Sequence, residues 1–226
     1  MKRRLKGIFA VMSIVMLLLV SGCGNTIDNK IKIDGWNVSA ANPIYLDKEA
    51  GTVQVFAVVN GKYLDQPTRH GLNGQDGKYG DQAVFTTTGN PLDFYDNILE
   101  LGATPAVAKG GDASQEFETI DGRQYIKGSE IKVTVTWEGA DREYDINEVM
   151  IDSTGKEINY KFGGNYDAAS ANFTGCFMCF DSCMVGIISN ANQPTNTFDN
   201  GEAEFMGNKD VLPQDGTPLI VTYSLK

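Results

Sequence analysis

The chain has 226 residues, of which 42% are hydrophobic and 21% charged, a balance that excludes a disordered or collagen-like protein and suits one sizeable domain. Four basic residues fall in the first six positions, which leaves 15 basic against 29 acidic residues in the remainder, a formal net charge of −14. A surface this acidic repels phosphates, so nucleic acid is excluded as a class of partner.

The first 22 residues predict an export signal. Basic residues at positions 2–6 precede an apolar run from Ile8 to Val20, which is short for a membrane-spanning helix. The run ends in Val20-Ser21-Gly22-Cys23, which resembles the bacterial lipobox. That resemblance implies cleavage before Cys23 and a diacylglycerol on its thiol. We therefore expect a protein of the bacterial cell envelope that is anchored to a membrane by lipid, on the extracytoplasmic side.

The body of the chain predicts many short strands. Residues 131–137 alternate strictly between apolar and polar side chains, which is the pattern of a half-buried antiparallel strand. Thr52–Val59 is rich in β-branched residues and runs into Asn60-Gly61, a dipeptide typical of tight hairpin turns. Further signals are an alternating strand at 219–225 and hairpin turns at Asp121-Gly122 and at 152–155.

One helix is predicted, beginning at Pro91 with Asn90 as its cap and ending before Gly102. Segments 71–80 and 103–114 are predicted loops. Short strands with one short helix favour a mainly β fold, an antiparallel β-sandwich of immunoglobulin-like or related type, with an α+β arrangement as the alternative. The expected organisation is a signal peptide at 1–22, a lipidated flexible leash at 23–30 and a single β-rich domain at 31–226.

Three cysteines stand within eight residues, at Cys176, Cys179 and Cys183, and the rest of the mature chain has Cys23 alone. Thiols at this spacing can converge on one centre. Outside the cytoplasm thiols are seldom left free, because they are oxidised or bind metal. The spacing therefore predicts a redox or metal centre.

The spacing C-x-x-C-x-x-x-C matches the last three cysteines of the bacterial ferredoxin signature, and the chain resembles the YdjY-type exported proteins. The resemblance covers most of residues 43–226, including segments 60–63, 67–71, 162–165, 186–191 and 210–213. It implies a ferredoxin-like 4Fe-4S cluster on the three cysteines, and an electron-transfer or accessory function with a redox protein as partner. Phe173 stands where the signature has its first cysteine, so one iron would need Asp181, His70 or a small molecule as ligand.

Two other interpretations remain open. Three thiolates and His70, the single histidine, would form a tetrahedral site for Zn²⁺, whereas Met178 or Met184 beside the thiols would suit Cu(I). Alternatively, the thiols are structural, in a disulfide or a structural zinc site, and the protein is a non-redox binding lipoprotein. Because His70 stands in a polar stretch, we expect it in solvent or behind the ligands rather than on the metal.

No phosphate-binding, zinc-protease or serine-hydrolase motif occurs, and no acid–base pair can be identified. We therefore expect a metal-binding or electron-carrying protein rather than an enzyme. The segment Phe162-Gly163-Gly164-Asn165 leads into the cysteine segment, and its glycines would let the backbone approach closely. We expect this segment to form a wall of the site.

Overall fold

The computed structural model describes residues 26–226. Its strands are β1 (Ile44–Asp47), β2 (Thr52–Val59), β3 (His70–Gly74), β4 (Ala83–Thr87), β5 (Phe117–Ile120), β6 (Arg123–Ile126), β7 (Glu130–Trp137), β8 (Tyr144–Asp145), β9 (Met150–Asp152), β10 (Tyr160–Phe162), β11 (Cys176–Cys179), β12 (Ile188–Asn190), β13 (Phe205–Gly207) and β14 (Pro218–Leu225). Its helices are α1 (Pro91–Glu100), α2 (Ile146–Val149) and α3 (Tyr166–Asn172), and short 3-10 turns lie at Gly61–Leu64 and Ala113–Gln115. The predicted signal peptide and Cys23 lie outside the described residues.

The main sheet closes on itself into a barrel. Eight strands follow one another in the order β2, β14, β7, β10, β12, β11, β3 and β4, and β4 pairs with β2 again where Val59 faces Phe85. The pairs β3–β4 and β11–β12 are parallel. Strand β1 extends the sheet at β2 and β8 extends it at β7, while β5–β6 and β9–β13 form two small separate sheets.

The prediction of a mainly β fold is confirmed, whereas the predicted β-sandwich is corrected to a single closed sheet. Alternating apolar residues show that one face of a strand is buried. They do not show whether that face meets a second sheet or the far side of its own sheet. The short helices α2 and α3 were not predicted, because four and seven residues give too little periodicity.

The strands with the clearest sequence patterns lie side by side. Strands β2, β14 and β7 form antiparallel pairs in which Val221 faces Val55 on one side and Val135 on the other. All three valines are at most 1% exposed. Burying each one contributes about 1.5–3 kcal/mol relative to leaving it in water. The alternating apolar residues of these three strands therefore determine which face of the barrel wall is buried.

Helix α1 begins and ends as predicted. The side-chain oxygen of Asn90 accepts a hydrogen bond from the backbone of Leu92 at 2.9 Å, and Gly102 follows the helix with φ of 99°. The ring of Phe94 packs against Phe177 of β11 and Tyr223 of β14, with centroid distances of 5.0 and 4.7 Å. The helix thus packs against the first half of β11, the strand that contains Cys176 and Cys179.

The predicted turns have mixed outcomes. Asp121-Gly122 forms the β5–β6 hairpin with positive φ at both residues, as predicted. Asn60-Gly61 does not form a hairpin, since a 3-10 turn follows β2 there. Residues 152–155 do form a turn, but the strands on either side pair with β13 and β12 rather than with each other. Part of the predicted loop at 71–80 is the buried strand β3.

The beginning of the described chain packs on the outside of the barrel. Ile27, Val38 and Ala40 are buried against Phe56 of β2 and Ile220 of β14. Because side chains alternate along a strand, Phe56 points away from the interior that its neighbour Val55 fills. This second, smaller core fixes the position of residue 27 relative to the barrel.

Candidate metal centre

Two neighbouring strands bring the histidine to the cysteines. In the β3–β11 pair, Cys179 lies opposite His70 and Cys176 lies opposite Asn73. Residues three apart on a regular strand point to opposite faces of the sheet. The register of β11 shifts twice between Cys176 and Cys179, and such bulges re-aim side chains. The irregular strand therefore directs both sulfurs to the same side, toward His70.

The resulting cluster is close and buried. The Nδ1 atom of His70 lies 3.5 Å from the sulfur of Cys176 and 3.9 Å from that of Cys179, and these three atoms lie within 4.8 Å of one another. Both cysteines are fully buried, and His70 is 9% exposed. His70 is thus not in solvent, which excludes one of the two positions expected from its polar neighbours. The three cysteines of the described chain are free thiols.

Cys183 joins the cluster from the loop after β11. Its side chain packs with Cys176 and Cys179 in one small buried cluster, but its sulfur is not among the ligand atoms that lie within 4.8 Å of one another. Asn165 holds this loop, because its amide group donates to the carbonyl oxygens of Cys183 and Gly186, each at 3.0 Å. Two sulfurs therefore converge with His70, and Cys183 packs beside them.

The surroundings lower the pKa values of two of the three thiols. Hydrogen bonding from Cys179 and then from His70 holds the pKa of Cys176 well below its usual value. The hydrogen bond with Cys179 also lowers the pKa of Cys183, and the Arg69 guanidinium adds to this effect. The pKa of Cys179 is raised, because this thiol donates to its two neighbours and is fully buried. Since thiolates are the form that binds metals, the cluster is suited to a cation.

Asp181, the other candidate ligand, has different partners. Its buried carboxylate binds Nε of Arg69 at 2.7 Å and accepts a hydrogen bond from the backbone of Phe198 at 3.3 Å. Burial by itself lowers the pKa of Arg69. Attraction to Asp181, Cys183 and Cys179 outweighs this effect, and the pKa of the arginine is raised. Arg69 also pairs with Asp199 at 2.7 Å. Asp181 therefore fixes the arginine that neighbours the sulfurs and is not among the atoms that converge.

Neither methionine of the cysteine segment reaches the cluster. Met178 is buried in the main core, where its terminal methyl group packs against Gly71. Met184 is 61% exposed. The ring of Tyr79 stacks on His70 with a centroid distance of 5.4 Å and packs against the cysteines together with Val185. The sulfurs are thus covered by an aromatic ring and an aliphatic side chain, without a thioether.

The glycine segment before α3 lies against the cysteine loop, as expected. The backbone nitrogen of Gly164 donates to the carbonyl of Ile187 at 3.1 Å. Gly164 has φ of 89°, and a side chain there would collide with the backbone of Val107. Asn165 also has positive φ, at 53°. The unusual backbone of this segment places the Asn165 side chain beneath Cys183.

The YdjY domain profile matches residues 44–224 of the chain. The chain belongs to the YdjY family. The uncharacterized protein YdjY of Escherichia coli strain K12 is 34% identical over 219 residues, which span 96% of this chain and 93% of that relative. No solved structure matches the chain.

All four residues of the candidate centre lie within the YdjY domain. The name of the relative states no activity, so the chemistry of this YdjY protein has to be argued from its own residues. Among residues 26–226 no helix is both long and apolar enough to cross a bilayer.

Several residues around the centre were not identified from the sequence, namely Arg69, Tyr79, Asn165 and Gly186. Asn165 belongs to the glycine segment that we expect to form a wall, but that prediction depends on the glycines. Arg69 directly precedes the single histidine. If that histidine lies near the cysteines, the arginine lies near them too, and its positive charge can offset the negative charge of thiolates. Tyr79 has only its aromatic side chain as a signal, and Gly186 begins segment 186–191, which carries part of the family resemblance.

Proposed function

We propose that this protein binds one thiophilic metal ion, Zn²⁺, through His70, Cys176 and Cys179, and that the neighbouring Cys183 moves in as the fourth ligand when the ion binds. The observation that carries the proposal is the approach of His70 Nδ1 to two buried free thiols. Buried thiols without a disulfide bond or a metal would be an uncommon arrangement in an exported protein.

The distances favour a single ion over a four-iron cluster. With metal–sulfur bonds of about 2.3 Å and metal–nitrogen bonds of about 2.0–2.1 Å, a nitrogen and a sulfur on one tetrahedral zinc ion lie about 3.5 Å apart. The two nitrogen–sulfur distances here are 3.5 and 3.9 Å. In a cubane cluster each thiolate binds a different iron, so the protein ligands lie further apart, across the body of the cluster.

Charge and ligand type favour Zn²⁺ over Cu(I). Three thiolates and a neutral imidazole around a divalent ion leave a single negative charge, and the nearby guanidinium of Arg69 offsets it. A monovalent ion would leave twice that charge in a buried site. Neither Met178 nor Met184 offers the soft thioether that would support copper.

The burial of the ligands indicates what the ion does. A catalytic zinc ion keeps an open position for water or substrate, whereas a structural one is closed by four protein ligands. Here the ligands come from β3, from β11 and from the following loop, and all four are at most 9% exposed. We infer a closed site that joins these segments and stabilises the domain.

Electron transfer is the second candidate function, with iron in the same ligand set and a redox protein as partner. Electron transfer is favoured by the position of Cys183. This residue is only 5% exposed, but it directly precedes Met184, which is 61% exposed. An electron would thus have a short route from the sulfurs to the surface. The resemblance of the cysteine spacing to that of ferredoxins also supports electron transfer.

We also propose that the protein acts at a membrane of the cell envelope, anchored by a lipid on Cys23. The support is the sequence Val20-Ser21-Gly22-Cys23 after a short apolar run. Intact mass measurement of the protein from membranes should show the added acyl groups. Cys23→Ala should abolish them and release the protein from the membrane fraction.

The metal proposal is tested by measuring metal and acid-labile sulfide in anaerobically purified mature protein. We expect about one zinc ion per chain and no sulfide. Cys179→Ser and His70→Gln should each lose the ion. Met178→Leu, in the same strand but packed in the main core, should keep it. Cobalt(II) should give thiolate charge-transfer absorption in the parent and the Met178 variant only.

The other outcomes distinguish the alternatives. A brown protein with labile sulfide, bleached by Cys179→Ser, would replace the zinc site with an iron–sulfur cluster. Iron without sulfide would support mononuclear electron transfer. Metal-free protein with a disulfide between two of the three cysteines would reject a metal centre and leave structural thiols.

A further inference from the structure

A surface cleft of about 300 Å³ lies beside the cysteine strand. Its walls come from the turn after β3, from the start of α1 and from the end of α3. Apolar and small residues form much of the lining, among them Gly74, Pro91, Leu92, Ala169 and Phe173. Gly175, which directly precedes β11, also lines it. The cleft therefore adjoins the candidate metal centre without containing it.

Phe173 is presented at this cleft in an unusual way. Its side chain is 64% exposed, and its backbone has φ of 49°, a conformation that is rare for a bulky residue. The segment is also held firmly, since Lys78 donates its backbone hydrogen to the carbonyl of Phe173 at 2.8 Å and Tyr79 donates to that of Thr174 at 3.2 Å. A strained and rigid backbone thus projects an aromatic ring into solvent.

The start of the described chain is attached beside the same cleft. The backbone nitrogen of Ile27 donates to the side chain of Gln75 at 2.9 Å, and Gln75 stands between the cleft residues Gly74 and Asp76. A second contact joins the two regions, because the hydroxyl of Thr88, another cleft residue, donates to the carbonyl of Ala40 at 2.6 Å. Burial of Ile27 in the outer core fixes this arrangement.

Chain length then limits where a lipid on Cys23 can reach. Four residue steps separate Cys23 from Ile27, and a fully extended chain spans at most about 14 Å over that length. A lipid on Cys23 must therefore enter the bilayer within that distance of Ile27. The tether therefore starts beside the cleft, since Ile27 is bound to Gln75 and Gln75 stands between the cleft residues Gly74 and Asp76.

We propose that the face formed by this cleft and Phe173 rests on the lipid bilayer, with the Phe173 ring in the headgroup region. The inference rests on the lipid anchor proposed above. Aromatic rings are favoured at the boundary between hydrocarbon and water. Because Cys176 follows Phe173 by three residues, the metal centre would then lie close to the membrane surface.

The contact is apolar rather than electrostatic. Asp76 and Lys78 are exposed on the turn that holds Phe173, and their formal charges cancel. The chain as a whole is acidic, so an anionic surface would not attract it. We therefore expect the same orientation on neutral and on anionic bilayers.

The test uses full-length lipidated protein in vesicles of phosphatidylethanolamine and phosphatidylglycerol, with acylation of Cys23 first verified by mass measurement. A fluorinated phenylalanine is placed at position 173 in one sample and at position 120 in another. Ile120 is a matched control, as an apolar residue that is 50% exposed on the separate β5–β6 hairpin. Nitroxide-labelled lipid is then added, and the fluorine relaxation rate is measured at each position.

We expect the nitroxide to raise the relaxation rate several-fold at position 173 and to leave position 120 nearly unchanged, in vesicles with or without phosphatidylglycerol. Equal rates at the two positions in acylated protein would overturn the proposed orientation. Rates that rise only with anionic lipid would overturn the apolar contact. Protection of position 173 by self-association, seen as a dimer in detergent, would assign the face to a second copy. Absence of acylation would reject the anchor itself.

Discussion

The imidazole of His70 lies 3.5 Å from the sulfur of Cys176, although 106 residues separate them in the chain. Their strands, β3 and β11, are neighbours in the barrel, and no hairpin joins them. An ion bound between them would connect distant parts of the chain. Because the unfolded chain does not hold these ligands together, much of the binding free energy would appear as folding stability.

Removing zinc is therefore expected to lower the melting temperature. Free zinc at about 100 times Kd stabilises the folded state by about 2.7 kcal/mol, which corresponds to about 5–10 °C in a domain of this size. The measurement is thermal unfolding with and without a zinc chelator. Cys179→Ser should melt at a temperature that the chelator does not change. Equal melting temperatures for the parent protein in both conditions would contradict a stabilising site.

Gly186→Ala should weaken metal binding without straining the backbone. A β-carbon at this position would lie 2.8 Å from the sulfur of Cys179, closer than such atoms approach each other in proteins. Because the displaced atom is a ligand sulfur, we expect a loss of metal affinity at least as large as the about 10–100-fold that follows mutation of groups supporting the ligands, and competition with a chelator would measure it. Gly155→Ala is the control, because it strains a turn with φ of 72° that has open space around it. It should lower stability and leave zinc affinity unchanged.

Much of the fold could be predicted from local sequence. Helix α1 has a cap, a proline at its first position and a glycine after its end, and β2, β7 and β14 have clear β-branched or alternating patterns. Strand β3 could not be predicted in this way. Its sequence, His-Gly-Leu-Asn-Gly, has no strand propensity, and it is a strand because β4 and β11 pair with it on both sides.

The candidate centre was predicted in part. The spacing of the cysteines indicated that their sulfurs can converge, and two of them do so with His70, but it does not show that they lie on a bulged strand. The role of His70 depends on which strand pairs with β11, and pairing across 106 residues leaves no local signal. The place of Asp181 was equally hidden, because only the fold brings Arg69 to it.

Arg69→Gln should destabilise the protein by about 3–5 kcal/mol, because it leaves the buried carboxylate of Asp181 without its partner. Combining it with Asp181→Asn should recover much of that loss, and urea unfolding of the four proteins would measure the coupling. The exposed pair of Arg123 and Glu202 is the comparison. Arg123→Gln should cost less than about 1 kcal/mol. Similar losses for the two arginines would show that the Arg69 pair is not special.

Asn165→Gly should lower stability by about 2–4 kcal/mol, since two carbonyl groups in the cysteine loop lose their donor. Glycine is the suitable replacement because Asn165 has φ of 53°, which glycine adopts freely. Asn196→Gly provides the match, as an exposed asparagine with φ of 62°. It should be nearly neutral in denaturant unfolding. If zinc binding is lost together with stability only in the first variant, the loop held by Asn165 positions Cys183.

Glu116 should make the stability of the protein fall as the pH rises from about 4.5 to about 7. The residue is 4% exposed, and its Oε1 atom has no hydrogen-bond partner within the described part of the chain. Burial raises its pKa from 4.5 to about 7, against a weaker opposing effect of the Asn165 side chain. Between these two values the folded state binds more protons than the unfolded state, so stability from this group is complete below pH 4.5, decreases up to about pH 7 and is constant above it.

Glu116→Gln should remove this slope, because glutamine resembles the neutral carboxyl group and does not titrate. We expect the variant to gain about 1–3 kcal/mol on the parent protein between pH 5 and 8, measured by denaturant unfolding at each pH. Glu118→Gln, an exposed position on β5, should follow the pH dependence of the parent. A Glu116→Gln curve parallel to that of the parent would mean that Glu116 is ionised throughout. In that case a cation or ordered water must reach its carboxylate beneath Asn165.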